Sequence, residues 1–196
     1  MANTSRKGFW PVGTVSGSPW QGSVKRFNHG VGEGGVIGVG DMVTQMTTGN
    51  ANLAVAATTN LLGCMVSREV ILKQRPIGTA MALSGQTAVD LSRKHITSLE
   101  NTALYVCTAP DAIYEVEAAN GTPTIALIGE NVDMFHVAAS TTTGMSAAVV
   151  DVGNPVESSA QFKIVGLVER ADNEAAANMK VLVMVNEHLY KVATGI

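Results

Sequence analysis

Alternation with a period of two, cut into short runs by turn residues, is the feature that most limits what this chain can become. In Ala112–Ala118, Tyr114, Val116 and Ala118 fall on one face, with Ile113, Glu115 and Glu117 on the other. Val181, Val183 and Val185 alternate with Leu182, Met184 and Asn186, the pattern of a strand covered on both sides. Phe162, Ile164 and Val168 alternate in the same way with Lys163, Val165 and Leu167. Successive strand side chains point to opposite faces, so runs of this kind are satisfied only in a sheet. Ser23–Phe27, Met42–Thr47, Leu61–Leu72, Ala103–Thr108 and Thr124–Gly129 complete the expected strands.

Turn signals separate these runs at Gly30–Gly40, Asn120-Gly121, Gly144 and Asn154-Pro155. Asn120-Gly121, followed by Thr122-Pro123, predicts a hairpin joining the strands on either side. Helical signal is thin. Asp172–Lys180 is expected to form one or two turns capped by Asp172, and Leu91–Leu99 has helix-compatible residues without a 3.6-residue period. The fold class expected is mainly β: a single β-barrel or β-sandwich domain over residues 28–196, preceded by an extended N-terminal arm with a first strand over residues 1–27. A chain of 196 residues is long enough to bury one sizeable core.

Composition narrows the partners. Hydrophobic residues make up 46% of the chain and charged ones 15%, against about 25% in average usage. Such a surface is expected where partners cover it, and equally where Ser, Thr, Asn and Gly make it polar without charge. The net charge of −3 offers no basic stripe for phosphates, so no nucleic-acid partner is expected. The start MANTSRKGFW has no apolar h-region. The longest apolar runs, such as Val181–Val185, are strand-sized, and no membrane association is expected. Cys64 and Cys107 form no C-x-x-C and read as buried free thiols of a reducing compartment, with a bond between them left open.

No motif points to catalysis, a cofactor or a metal. Gly30, Gly32 and Gly35 satisfy G-x-G-x-x-G, but that fingerprint needs a helix next and an acid about 20 residues on. Val36-Ile37-Gly38-Val39-Gly40 is no helix start, and no Asp or Glu lies near Val55. His29, His95, His136 and His188 are scattered without metal-ligand spacing. Asp41, Asp90, Asp111, Asp133, Asp151 and Asp172 each sit near a turn residue or a strand end, where Asx hydrogen bonds explain them. The expectation is a protein that is not an enzyme.

The segment Gly8–Phe27, GFWPVGTVSGSPWQGSVKRF, holds both tryptophans among glycines, prolines and serines. One reading is a first strand and loop with both indoles folded back on the same barrel. The other is an arm that docks on a neighbour, since Trp brings large contact area and an N–H that prefers an acceptor. Pro11 and Pro19 stiffen such an arm. On the second reading Phe9, Trp10, Pro11, Pro19, Trp20 and Phe27 are the candidate protein-interface residues.

Gly8-Phe9-Trp10-Pro11-Val12, then Gly17-Ser18-Pro19-Trp20-Gln21-Gly22 and Phe27, resembles the opening of a family of small virion structural proteins of tailed bacteriophages. Gly40-Asp41-Met42-Val43, Leu61-Leu-Gly-Cys-Met-Val and the stretch Tyr105–Ala118 are similar to successive segments of that family. Ile128–Met134, Gly144-Met-Ser, Ile164–Glu174 and Val185–Tyr190 continue the likeness in order. Cys107-Thr108 departs from it, standing where the family carries an acidic pair. The resemblance implies a head decoration (cement) protein on the outer surface of the virion capsid, made in the host bacterial cytoplasm. Its implied partners are the major capsid protein and further copies of itself, as a homotrimer or a dimer. Another virion component (tail, connector or fibre base) is the alternative.

Overall fold

Twelve strands form in the computed structural model, which describes residues 8–30, 32, 34–56, 58–69, 94–97, 102–156 and 158–191. They are β1 (Trp10–Thr14), β2 (Lys25–His29), β3 (Met42–Gln45), β4 (Ala51–Leu53), β5 (Leu61–Glu69) and β6 (Thr102–Cys107). The second half supplies β7 (Ala112–Ala119), β8 (Asn131–Val132), β9 (Met134–Phe135), β10 (Val149–Asp151), β11 (Phe162–Leu167) and β12 (Lys180–Val185). The mainly β expectation holds.

The first sheet runs β8-β11-β12-β7-β10-β9. Its two ends, β8 and β9, are separated in the chain by Asp133 alone, so one short run of chain nearly closes the sheet into a barrel. Asp133 secures that crossing: its carboxylate accepts the Gln161 N–H at 3.1 Å, and its carbonyl accepts the Asp151 N–H at 3.0 Å. Strand β7 is the hub. β12 pairs along one edge, while β1 and β10 share the other, β1 against Ala112–Glu115 and β10 against Ala118–Ala119. The second sheet runs β2-β6-β5-β3-β4 and curls until His29 of β2 meets the Ala51 carbonyl of β4, Nδ1 to oxygen 3.1 Å.

Period-two burial then builds two cores. The inward faces of β7, β11 and β12 meet one face of the second sheet through Tyr114, Phe162, Val183, Leu61 and Cys64. The other face of the second sheet buries Leu62, Met65, Leu104 and Val106 under Ile37 and Ile96, which pair with each other as an isolated bridge. Sheet two is therefore covered on both faces.

Three expectations are corrected. The segment Thr124–Gly129 is not a strand: Ile125–Leu127 forms a single 3-10 turn, and Gly129, at φ +100°, redirects the chain. Asn120 does turn the chain, at φ +60°, but no hairpin returns along β7, because both edges of β7 are already occupied. No helix forms at Asp172–Lys180. There the Asn173 side chain donates to the carbonyls of Val168 and Lys180 and accepts the Lys180 N–H, so a side chain satisfies backbone groups that a helix would satisfy internally. From Gly8 on, the described part of the N-terminal segment supplies the first strand, β1, which pairs with Ala112–Glu115 of β7. Asp90, most of Leu91–Leu99 and the end of Leu61–Leu72 lie outside the described residues.

Candidate protein interface

The N-terminal segment is rooted in the barrel by a buried knot. Gly8 donates its N–H to the Ala148 carbonyl and Phe9 to the Gly40 carbonyl, each at 2.8 Å. A Cβ on Gly8 would lie 2.9 Å from Ser146 Cβ and 3.3 Å from Gly40 Cα, so only glycine lets these three chain segments approach. Beneath them Asp41 is fully buried, accepting the Ser146 hydroxyl on one oxygen and the Gly38 N–H, at 2.7 Å, on the other. Burial pushes the Asp41 carboxyl above the usual range, while those two donors pull it part of the way back. Asp41, read from sequence as a turn residue, is a long-range tie that fastens Gly38–Asp41 to Ser146.

From this root the six candidate interface residues go separate ways. Phe9 is wholly buried, stacked on Phe162 and edge-on to Tyr114, so its ring belongs to the monomer core and is not offered to a partner. Trp10, one residue on, pairs in register with Glu115 on the outer face of the barrel and is half-buried. Half-buried Ile113, Leu182 and Met184 share that face. Arg170 lies over it, forking onto both Glu115 carboxylate oxygens at 2.9 and 3.0 Å. Pro11 is half-buried opposite Tyr114.

Beyond Gly13 the chain doubles back as a hairpin. Thr14 donates to the Ser18 carbonyl at 2.9 Å, Trp20 donates to the Val12 carbonyl at 3.2 Å, and Pro19 bridges Gly13. Val15 ties the tip to the β6–β7 turn through the Asp111 carbonyl. Pro19 is exposed, and Val15 and Val12 are 55% and 42% exposed. The Trp20 ring packs on the core between the sheets, and its buried Nε1–H meets no acceptor in the described chain. Phe27 is half-buried and packs on the second core, in register with Leu104. The structure thus gathers Trp20, Pro19, Val12 and Val15 on one hairpin and separates Phe9 and Phe27 from it. Val12, Val15 and Val24 were missed as surface hydrophobes, although their Gly and Ser neighbours are a signal for an exposed turn.

Gln161 accepts the Met134 N–H and donates to the carbonyls of Val55 and Thr58, tying the barrel to the second sheet. His29, His95 and His188 are buried. A depression of about 310 Å³ lies at the end of β7, lined among others by Glu117, Asn120, Phe135, Val137 and Val149. Among the described residues no group of three or more His, Cys, Asp or Glu side chains is placed to hold a metal ion, and no helix is long and apolar enough to cross a membrane.

No family model, no curated protein and no solved structure matches this chain.

Proposed function

We propose that this chain is a bacteriophage head decoration protein, which binds the outer surface of the assembled capsid and stabilises contacts between capsomers. The observation that carries the reading is the N-terminal hairpin. It presents exposed Val12, Val15 and Pro19 beside the unpaired Trp20 N–H, and the Phe9 root fixes it on the barrel. A hairpin held at its base loses little freedom on docking, and the buried indole N–H gains an acceptor where docking turns the half-buried Trp20 ring toward a partner's carbonyl. The chain-long resemblance to tailed-phage virion proteins points the same way, and so does a surface with few charges.

The mechanism is linkage. A protein that binds only the expanded lattice stabilises it by RT ln(1 + [L]/Kd) at each site. Self-association as a trimer or dimer multiplies that effect, because the second and third contacts become intramolecular. The test is binding of the purified protein to expanded capsids and to unassembled major capsid protein. Retention on capsids alone, at a copy number near that of the capsid protein, is the expected result. Equal binding to both removes the lattice-dependent mechanism. A small ring-like copy number assigns the chain to a tail, connector or fibre base.

A further inference from the structure

We propose that Cys64 and Cys107 are a site of reversible oxidation, a latent disulfide across the β5–β6 ladder. The inference stands apart from the functional reading. The two residues are direct register partners in an antiparallel pair, and both side chains enter the core between the sheets. Both thiols are free and wholly buried.

Directly opposed residues of an antiparallel pair stand about 4.5 or 5.5 Å apart at Cα, within the roughly 4.4–6.8 Å that a disulfide spans. Their Cβ atoms, about 4.5–5.5 Å apart, need to approach to about 3.5–4.5 Å, a local movement on the order of 1 Å. β5 is built to give at this place. Its register shifts against β3 just before Cys64 and against β6 just after Met65, and Gly63 takes φ +138° between them. Bulged strands bend more readily than regular ones, because the ladder is already interrupted.

The same surroundings keep the pair reduced until an oxidant reaches it. Burial, reinforced by Cys107 and Asp41 nearby, holds the Cys64 thiol well above its ordinary range, so the Cys64 thiolate forms when the strand pair opens locally. The chemistry balances with a two-electron oxidant of the azodicarboxamide class. One cysteine thiolate adds to the N=N bond, and the second attacks the sulfur so modified. The S–S bond forms as the S–N bond breaks, and the hydrazine leaves carrying both thiol protons. A small-molecule disulfide does the same by exchange, releasing two thiols. The bond closes a stretch of about forty residues, which constrains the unfolded chain and stabilises the native one.

The test treats the full-length protein with diamide in sub-denaturing urea, removes both, and alkylates remaining thiols after full denaturation. The expected result is a monomer lighter by two hydrogens, with no alkylated cysteine and a linked Cys64–Cys107 peptide. Its Tm should lie about 5–15 °C higher and return to the starting value with dithiothreitol. The C107S variant, or C107A if serine at this buried site prevents folding, should show neither linkage nor the rise, which separates the disulfide from methionine oxidation. Two alkylatable thiols after treatment, bonds only between chains, or a lowered Tm in the linked monomer would each overturn the proposal.

Discussion

Phe9 stacks on Phe162 with ring centroids 4.8 Å apart and 18° between the ring planes, at the centre of the core shared by the two sheets. The contact decides what the N-terminal segment can do. Its first aromatic is committed to folding, and its backbone is held by Gly40 and Ala148. Phe9→Ala therefore removes a fully buried ring and should cost about 3–5 kcal/mol of stability, on the order of 10 °C in Tm. Thermal unfolding of the variant checks this, and a near-parental Tm would place Phe9 outside the core.

Gly63 and Gly17 both have positive φ, +138° and +86°, yet they should respond differently to alanine. A Cβ on Gly17 meets nothing within 4 Å, so Gly17→Ala should cost only the backbone strain, about 1–2 kcal/mol. A Cβ on Gly63 would overlap the Cys107 carbonyl, which is backbone and cannot rotate away. Gly63→Ala should add a forced parting of β5 from β6 and cost at least about 3 kcal/mol. Urea unfolding of the pair gives the comparison, and equal losses would mean that the close approach carries no weight.

His188 should make the protein sensitive to mild acid. Burial, with Lys191 adding to it, lowers its pKa from the usual 6.5 to about 4. Above pH 6.5 the imidazole is neutral in both folded and unfolded chains, and its contribution to stability is fully present. Between pH 6.5 and 4 the unfolded chain takes up a proton that the folded chain refuses, so stability falls as pH falls, by about 3 kcal/mol in total. Below pH 4 the loss levels off. Asp41 acts in the opposite sense, since its carboxyl is raised and its ionisation weighs against the folded state. The difference in pH dependence between the parent and His188→Phe isolates the histidine. Parallel curves from pH 7 to pH 4 would rule out its role.

The strands with the strongest alternation were legible in the sequence. β7 and β12 lie where Tyr114–Ala118 and Val181–Val185 place them: Tyr114, Val116 and Ala118 share the inner face, while β12, read as covered on both sides, leaves Leu182 and Met184 half-buried outside. In β11 a bulge between Ile164 and Gly166 turns Leu167 inward beside Val181, against the plain alternation. The closing run β8–β9 was not legible, because two-residue strands on either side of Asp133 have no period to detect. Nor was the division of labour between Phe9 and Trp10. An aromatic pair in sequence says that one ring goes each way, but which goes inward is set by register against Glu115 and Tyr114, a hundred positions distant. The Asp41–Ser146 tie escaped for the same reason: each residue looks like turn chemistry locally, and only the fold brings them together.

Trp20 allows the proposed interface to be tested apart from the fold. Its ring packs on the core, while its buried Nε1–H has no acceptor in the described chain. A buried donor left unpaired costs about 1–3 kcal/mol, and docking that turns the half-buried ring toward a partner's carbonyl would relieve that cost. Trp20→Phe keeps an aromatic ring at the site and removes the donor. In the isolated protein the lost indole area and the relieved donor act in opposite directions, and Tm should stay within a few degrees of the parent. Retention on capsids should fall, because the hydrogen bond made on docking is gone; a loss of about 1–2 kcal/mol is roughly a five- to thirty-fold weaker Kd. Trp20→Ala should weaken binding further, by about 2–4 kcal/mol for a truncated aromatic anchor, and should also lower Tm through lost packing. Sedimentation with expanded capsids, run beside thermal unfolding, reads both effects. If Trp20→Phe binds as tightly as the parent, the N–H has no part in docking. If Trp20→Ala also binds unchanged while melting early, the indole serves only the monomer, and the hairpin is not the anchor.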